Sequence, residues 1–139
     1  MHCNRKFYFD AAHRVMGHGG KCKKLHGHRY TAIVTVTAKD LDDLGMVIDF
    51  AVLKQIIGDW IDQNLDHNTI LYDKDHELGE QIAAITGQEI YYMDSNPTAE
   101  NIAQHLLRDI LPRLLENENV EIVSVELQET ENSGVVCNA

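Results

Sequence analysis

Cysteine is scarce in this chain. Cys3, Cys22 and Cys137 are an odd number without the spacing of a secreted disulfide framework, so reduced thiols and a cytoplasmic setting are expected. Bases are scarce as well: twelve stand against twenty-two acids, a net charge of −10 that argues against general nucleic-acid binding. No apolar run approaches the length of a membrane span, and the opening M-H-C-N-R-K-F-Y-F-D lacks a signal peptide's apolar stretch. No membrane partner is expected. Repeats, linkers and low-complexity segments are missing too. At 139 residues and 44% hydrophobic content, the chain reads as one domain, 1–139, that buries a core without metal or disulfides.

The few bases are unevenly placed. Eight of the twelve fall in residues 1–39, where Asp10 is the only acid. Such a segment suits an anionic small molecule, with Lys21, Lys23, Lys24 and Arg29 as candidate contacts; a solvated basic loop would give the same pattern.

The same region carries the most informative stretch, C-K-K-L-H-G-H from Cys22 to His28. It runs into an alternating pattern, with Tyr30, Ala32, Val34, Val36 and Ala38 apolar and Arg29, Thr31, Thr35 and Thr37 polar. Period two predicts a half-buried strand, and its parity puts His26 and His28 on the core face. Phe7, Phe9, Ala11 and His13 share one parity in a first strand. If the two strands form an antiparallel hairpin, His13 lies near His28.

Asp49 is the expected N-cap of a helix over Phe50–Asn64, with a stripe of Phe50, Leu53, Ile57, Trp60 and Ile61. A weaker helical patch runs from His76 to Ile85 and closes at Gly87, followed by a short strand over Glu89–Met93. Asn96-Pro97-Thr98 starts another helix, which Pro112 kinks or ends. A last strand over Val120–Thr130 alternates Val123, Val125 and Leu127, and its apolar parity ends on Glu129. The expected fold class is α+β, a four-stranded antiparallel sheet with helices on one face. Its open edges imply oligomerisation.

Three neutral imidazoles, His13, His26 and His28, suit tetrahedral zinc with one position left for water or substrate. Cys22 is either a fourth ligand, closing a structural site, or a base held just off the metal; Lys21, Lys23 and Lys24 favour its thiolate. Asp66-His67, past a helix end, offers a carboxylate that can orient a proton carrier, although adjacent residues need not touch. Glu129, an acid at the end of an apolar strand face, needs a partner if buried, which paired N–H donors of a guanine-like or pterin edge would supply; a strand ending one residue early would instead leave it in water. His2, His18, His76, His105, Cys3 and Cys137 read as surface or terminal residues, with His18 close enough in the loop to be a decoy ligand.

Taken with F-D-A-A-H ending at His13, G-M-V-I-D-F around Asp49, L-D-H-N around Asp66 and His67, N-P-T-A-E-N-I-A around Thr98, and E-T at Glu129, the C-K-K-L-H-G-H stretch resembles a known family. It is that of 6-pyruvoyltetrahydropterin synthase and its bacterial relative 6-carboxytetrahydropterin synthase. The motifs occur in family order across most of the chain. The resemblance implies the tunnelling fold, with trimeric barrels stacked in pairs as a homohexamer and sites at subunit interfaces. It implies His13, His26 and His28 as zinc ligands, Cys22, Asp66 and His67 as the proton-transfer group, and Glu129 and Thr98 as pterin contacts. The implied substrate is 7,8-dihydroneopterin triphosphate. The segment from Tyr72 to Met93 looks like the carboxy-forming branch, which serves 7-deazaguanine (queuosine) synthesis and releases triphosphate and acetaldehyde. The pyruvoyl-forming activity is the alternative, and a non-catalytic zinc-stabilised oligomer or pterin-binding module is a third. The tail E-N-S-G-V-V-C has no close match in the family.

Overall fold

The two alternating segments become the longest strands of the computed structural model, which describes residues 1–139. Strand β1 spans His2–His13 and β2 spans His26–Thr37, paired antiparallel with His13 opposite His26 and Phe9 opposite Tyr30. Their inward parity is buried, including Phe9, Ala11, Tyr30, Ala32, Val34 and Val36, while Lys6, Tyr8 and Arg29 face outward and are exposed.

Helix α1, Phe50–Asn64, begins where Asp49 accepts a hydrogen bond from the Ala51 N–H at 2.7 Å, which satisfies one of the free first-turn donors. It buries Leu53, Ile57 and Ile61 against the strands. Phe50 falls outside the expected stripe: the first residue of the helix, it stays exposed.

Strand β3, Asn68–Tyr72, follows almost at once. It runs parallel to β1, and parallel on its other side to β4, Ile90–Met93. Helix α2, His76–Thr86, lies between these two strands in the chain and ends at Gly87, whose φ of +73° is the left-handed conformation glycine adopts freely. Helix α3, Ala99–His105, starts from Thr98, whose hydroxyl accepts from the Asn101 N–H at 3.3 Å. Thr98→Ala is expected to lower stability by about 1 kcal/mol, and Thr98→Ser to restore it, in urea unfolding. The helix then loosens into a π turn over Leu106–Ile110 before a last short turn, α4, Leu111–Leu114. Pro112 gives the reason. Its ring cannot donate to the Arg108 carbonyl and would clash with it, and the wider turn makes room. Strand β5, Glu121–Thr130, pairs with β2, and β6, Ser133–Asn138, closes the order β4-β3-β1-β2-β5-β6.

The α+β class stands, but the sheet is corrected from four antiparallel strands to six strands with mixed pairing. The helices also divide between its faces. Tyr91 turns to the core, edge-on to Trp60 at 5.7 Å and bonded to His105, so its neighbour Tyr92 must point the other way. Tyr92 meets α2 there, its ring tilted against that of His76 at 4.5 Å and covering Gly79 so closely that a β-carbon would strike it. Helices α1 and α3 share one face of the sheet; α2 covers the far end of the other.

Candidate metal centre

The hairpin register brings three imidazoles together at the end of β1 and β2. The His13 ring lies 4.6 Å from that of His26 and 5.1 Å from that of His28, and those two are 4.9 Å apart. Strand β5 delivers a fourth group. Its apolar parity runs through fully buried Val125 and Leu127 to Glu129, whose carboxylate reaches the same point. Ligand atoms of His13, His26, His28 and Glu129 all lie within 4.8 Å of one another.

Two of the rings are oriented from behind. His13 Nδ1 lies 2.7 Å from the Pro97 carbonyl oxygen, and His26 Nδ1 lies 2.7 Å from that of Lys24. A carbonyl only accepts, so each Nδ1 carries the hydrogen and each Nε2 is left as a lone pair facing the cluster. Metal-bound histidines are held in this way by outer-shell acceptors. Burial, followed by the neighbouring imidazoles, pushes the His13 pKa down against the opposing pull of the Pro97 carbonyl and Glu129. The ring is therefore held in the neutral form that a ligand requires.

Fit to a cation follows from atoms left without partners. Nε2 of His13 and of His28 are buried and make no aligned hydrogen bond, although Glu129 Oε1 stands 3.1 and 2.9 Å from them. Groups that approach one point without bonding to one another suit ligands around an ion better than a hydrogen-bonded network. The buried Tyr30 hydroxyl beneath them is also unpartnered, and burial with the Glu129 charge raises its pKa. Three imidazole nitrogens and a carboxylate oxygen make a donor set that could hold a metal ion.

Asp66 and His67 do touch. His67 Nδ1 donates to Asp66 Oδ2 at 2.6 Å, and Asp66 Oδ1 accepts from the Asp10 N–H at 2.8 Å. His67 holds a left-handed φ of +58°, which costs a non-glycine residue about 1–3 kcal/mol. Its N–H to the Asp10 carbonyl at 2.7 Å and its own carbonyl to Gln88 Nε2 at 3.2 Å maintain that conformation. Burial works to raise the Asp66 carboxyl, but the Asp10 N–H and His67 outweigh it and hold it below its ordinary pKa. The Asp66 hydrogen bond and charge raise the pKa of His67. Removing that partner in Asp66→Asn is expected to lower the His67 pKa towards its ordinary value. Imidazole NMR titration checks the direction, and an unmoved midpoint would contradict the coupling.

His67 and His28 line one cleft of about 350 Å³ with Asp10, Gly27 and Arg29. Glu129 and His28 line a second, of about 630 Å³, with Lys6, Tyr8 and Arg29. Cys22 sits in a 3₁₀ turn over Lys21–Lys23, is exposed, lines neither cleft, and does not contribute its sulfur to the converging set. Thr98 is occupied in capping α3. His105 departs from its surface reading: it bridges the Tyr91 hydroxyl at 2.8 Å and Asp109 at 2.7 Å. Cys3 and Cys137 pack against the core edge. Sequence reasoning missed the Pro97 and Lys24 carbonyls and a bidentate pair from Arg14 to buried Asp75. A backbone acceptor has no residue signature, and an Arg–Asp pair 61 positions apart has no local one.

The 6-pyruvoyl tetrahydropterin synthase family matches residues 2–139. A Rickettsia typhi protein named 6-carboxy-5,6,7,8-tetrahydropterin synthase is 52% identical over 130 residues, 94% of each chain. Among solved structures, an uncharacterized Wolinella succinogenes protein superposes with a TM-score of 0.82 at 25% identity, covering 99% of this chain and 97% of that one. The Caenorhabditis elegans 6-pyruvoyl tetrahydropterin synthase gives 0.72 at 23% identity over 100% and 95%, a likeness of fold.

Proposed function

Because the chain belongs to the 6-pyruvoyl tetrahydropterin synthase family, we propose that it is a zinc-dependent lyase, a 6-carboxy-5,6,7,8-tetrahydropterin synthase. It would convert 7,8-dihydroneopterin triphosphate to 6-carboxytetrahydropterin, releasing triphosphate and acetaldehyde, in 7-deazaguanine (queuosine) synthesis. The observation that carries the reading is the convergence of three imidazole nitrogens beside clefts wide enough for a small molecule. The name of the R. typhi relative favours the carboxy-forming branch.

His13, His26 and His28 hold the zinc. When bound, the ion supplies Lewis acidity that acidifies the C–H and O–H bonds of the substrate side chain. Cys22 accepts a proton from that side chain. His67, its Nδ1 engaged by Asp66, carries protons at Nε2, which the 78% exposed side chain presents to solvent and substrate. Glu129 anchors the paired N–H donors of the pterin ring, and Thr98 closes the contact. The distance of 2.9 Å from Glu129 to His28 Nε2 favours a second role for Glu129, as a donor to the ion. Glu129→Gln separates the two. An anchor leaves zinc content intact and raises KM, whereas a ligand lowers zinc content.

The assembly is a homohexamer, a dimer of trimers with sites between subunits. Support comes from the outer strands β4 and β6, whose outer edges are unpaired within the chain, and from Val136 on β6, 59% exposed. Three free cysteines support a cytoplasmic setting, and no helix is long and apolar enough to cross a membrane.

Incubating purified protein with 7,8-dihydroneopterin triphosphate tests the activity. Acetaldehyde with 6-carboxytetrahydropterin is the expected outcome. Triphosphate release without acetaldehyde would indicate the pyruvoyl-forming reaction. No turnover with zinc restored, in a protein that chelation melts, would indicate a binding module.

A further inference from the structure

We propose that Asn96 is a positioning residue that ties the Cys22 loop to the frame holding His13. Its side-chain amide pairs with the backbone of one distant residue. Met16 N–H donates to Asn96 Oδ1 at 2.7 Å, and Asn96 Nδ2 donates to the Met16 carbonyl at 2.9 Å. An amide that satisfies both backbone groups of Met16 fixes its position as a neighbouring strand would. Met16 follows the neck of the loop, where the Val15 N–H donates to the Cys22 carbonyl at 2.8 Å.

Asn96 is itself anchored. Its carbonyl accepts from the Thr98 N–H and from Asn101 Nδ2, both at 2.8 Å, so the start of α3 sets where its side chain reaches. The next residue along, Pro97, accepts from His13 Nδ1. Two adjacent residues therefore reach two parts of the centre, the ring of one metal-ligand candidate and the neck of the loop carrying the candidate base. Arg14, bonded to Asp75, fixes the residue before the neck. Beyond it the loop is held by short-range bonds within itself, from His18 N–H to the Val15 carbonyl and from Lys23 and Lys24 N–H to the Gly20 and Lys21 carbonyls, and Cys22 is exposed.

The catalytic consequence rests on the reading of Cys22 given under the proposed function, so the test has arms that need no turnover. In Asn96→Ala, amide hydrogen exchange at Met16 and at Val15, whose N–H closes the neck onto the Cys22 carbonyl, is expected to quicken at least tenfold, with Ile102 to Leu107 unchanged. Zinc content should be unchanged. Iodoacetamide should alkylate Cys22 at a rate altered severalfold, resolved by peptide mass spectrometry from unaltered Cys3 and Cys137. In turnover, kcat should fall at least tenfold while KM stays within threefold.

Asn96→Asp adds a readout that a merely structural role would not move. Its ionised carboxylate still accepts from the Met16 N–H but faces the Met16 carbonyl without a hydrogen, and protonation restores a donor. Its kcat relative to the parent protein should therefore rise as pH falls. Wild-type exchange and alkylation at the loop, equal quickening in α3, zinc loss, or a flat pH ratio would each overturn the proposal. A parent protein without turnover would sink the proposed function alone, with exchange and alkylation still deciding the role of Asn96.

Discussion

Cys22→Ala is expected to retain one zinc per chain while turnover falls by about 10²–10⁴-fold, the range lost with a positioned proton carrier. The two halves of this expectation have separate grounds. Zinc is retained because the Cys22 sulfur is not among the four groups whose ligand atoms converge, and because it sits on an exposed turn outside the core. Turnover is lost because the chain offers two separate proton carriers, and the Asp66–His67 pair by itself supplies only one. Elemental analysis and initial rates on the same preparation decide the matter. Loss of zinc in step with activity would make Cys22 a ligand and the site a closed, structural one.

His13→Ala should do the opposite and lose the ion first. His13 is the most buried of the three imidazoles, 2% exposed, and the Pro97 carbonyl sets its tautomer. Removing an outer-shell partner typically costs about 10–100-fold in metal affinity. Removing the ligand should cost more, and turnover should disappear with the zinc. The substitution also leaves the Pro97 carbonyl unpaired beside a cavity, so stability should fall by about 1–3 kcal/mol. His18→Ala is the matched control. His18 lies in the same loop region, yet its Nδ1 accepts from the Gly20 N–H and belongs to no cluster, so zinc content and rate should not change. Titrating apo-protein with zinc in a competing chelator measures all three proteins. Unchanged affinity in His13→Ala would remove the basis for the centre.

The part of this centre legible in the sequence was the part that depends on local periodicity. Parity along β1 and β2 placed His13, His26 and His28 on one face, and a hairpin was enough to bring them together. Parity along β5 ended on Glu129, which left it either facing inward or in water just past the strand. Its arrival among the imidazoles required the β2–β5 register, with Thr31 opposite Gln128, which no local pattern encodes. Helix α1 was legible at both ends because Asp49 caps it and the apolar stripe stops at Leu65. Strand β3 was not, because Thr69, Ile70 and Leu71 are buried in succession and show no alternation. Such a short apolar run, buried on both faces between parallel neighbours, carries no period to read. The Asp66–His67 contact was equally hidden. Adjacent residues point apart in ordinary conformations, and only the left-handed backbone at His67 turns its ring back onto Asp66. Asn96 read as part of a helix start, and its bonds to Met16 cross 80 positions.

X-ray absorption at the zinc edge of the purified protein is the most direct measurement of the centre. The arrangement of His13, His26 and His28 predicts a first shell of nitrogen and oxygen alone, at roughly 2.0–2.1 Å, with the outer-shell scattering of about three imidazoles. A sulfur scatterer near roughly 2.3 Å, or a shell without imidazole, would contradict it.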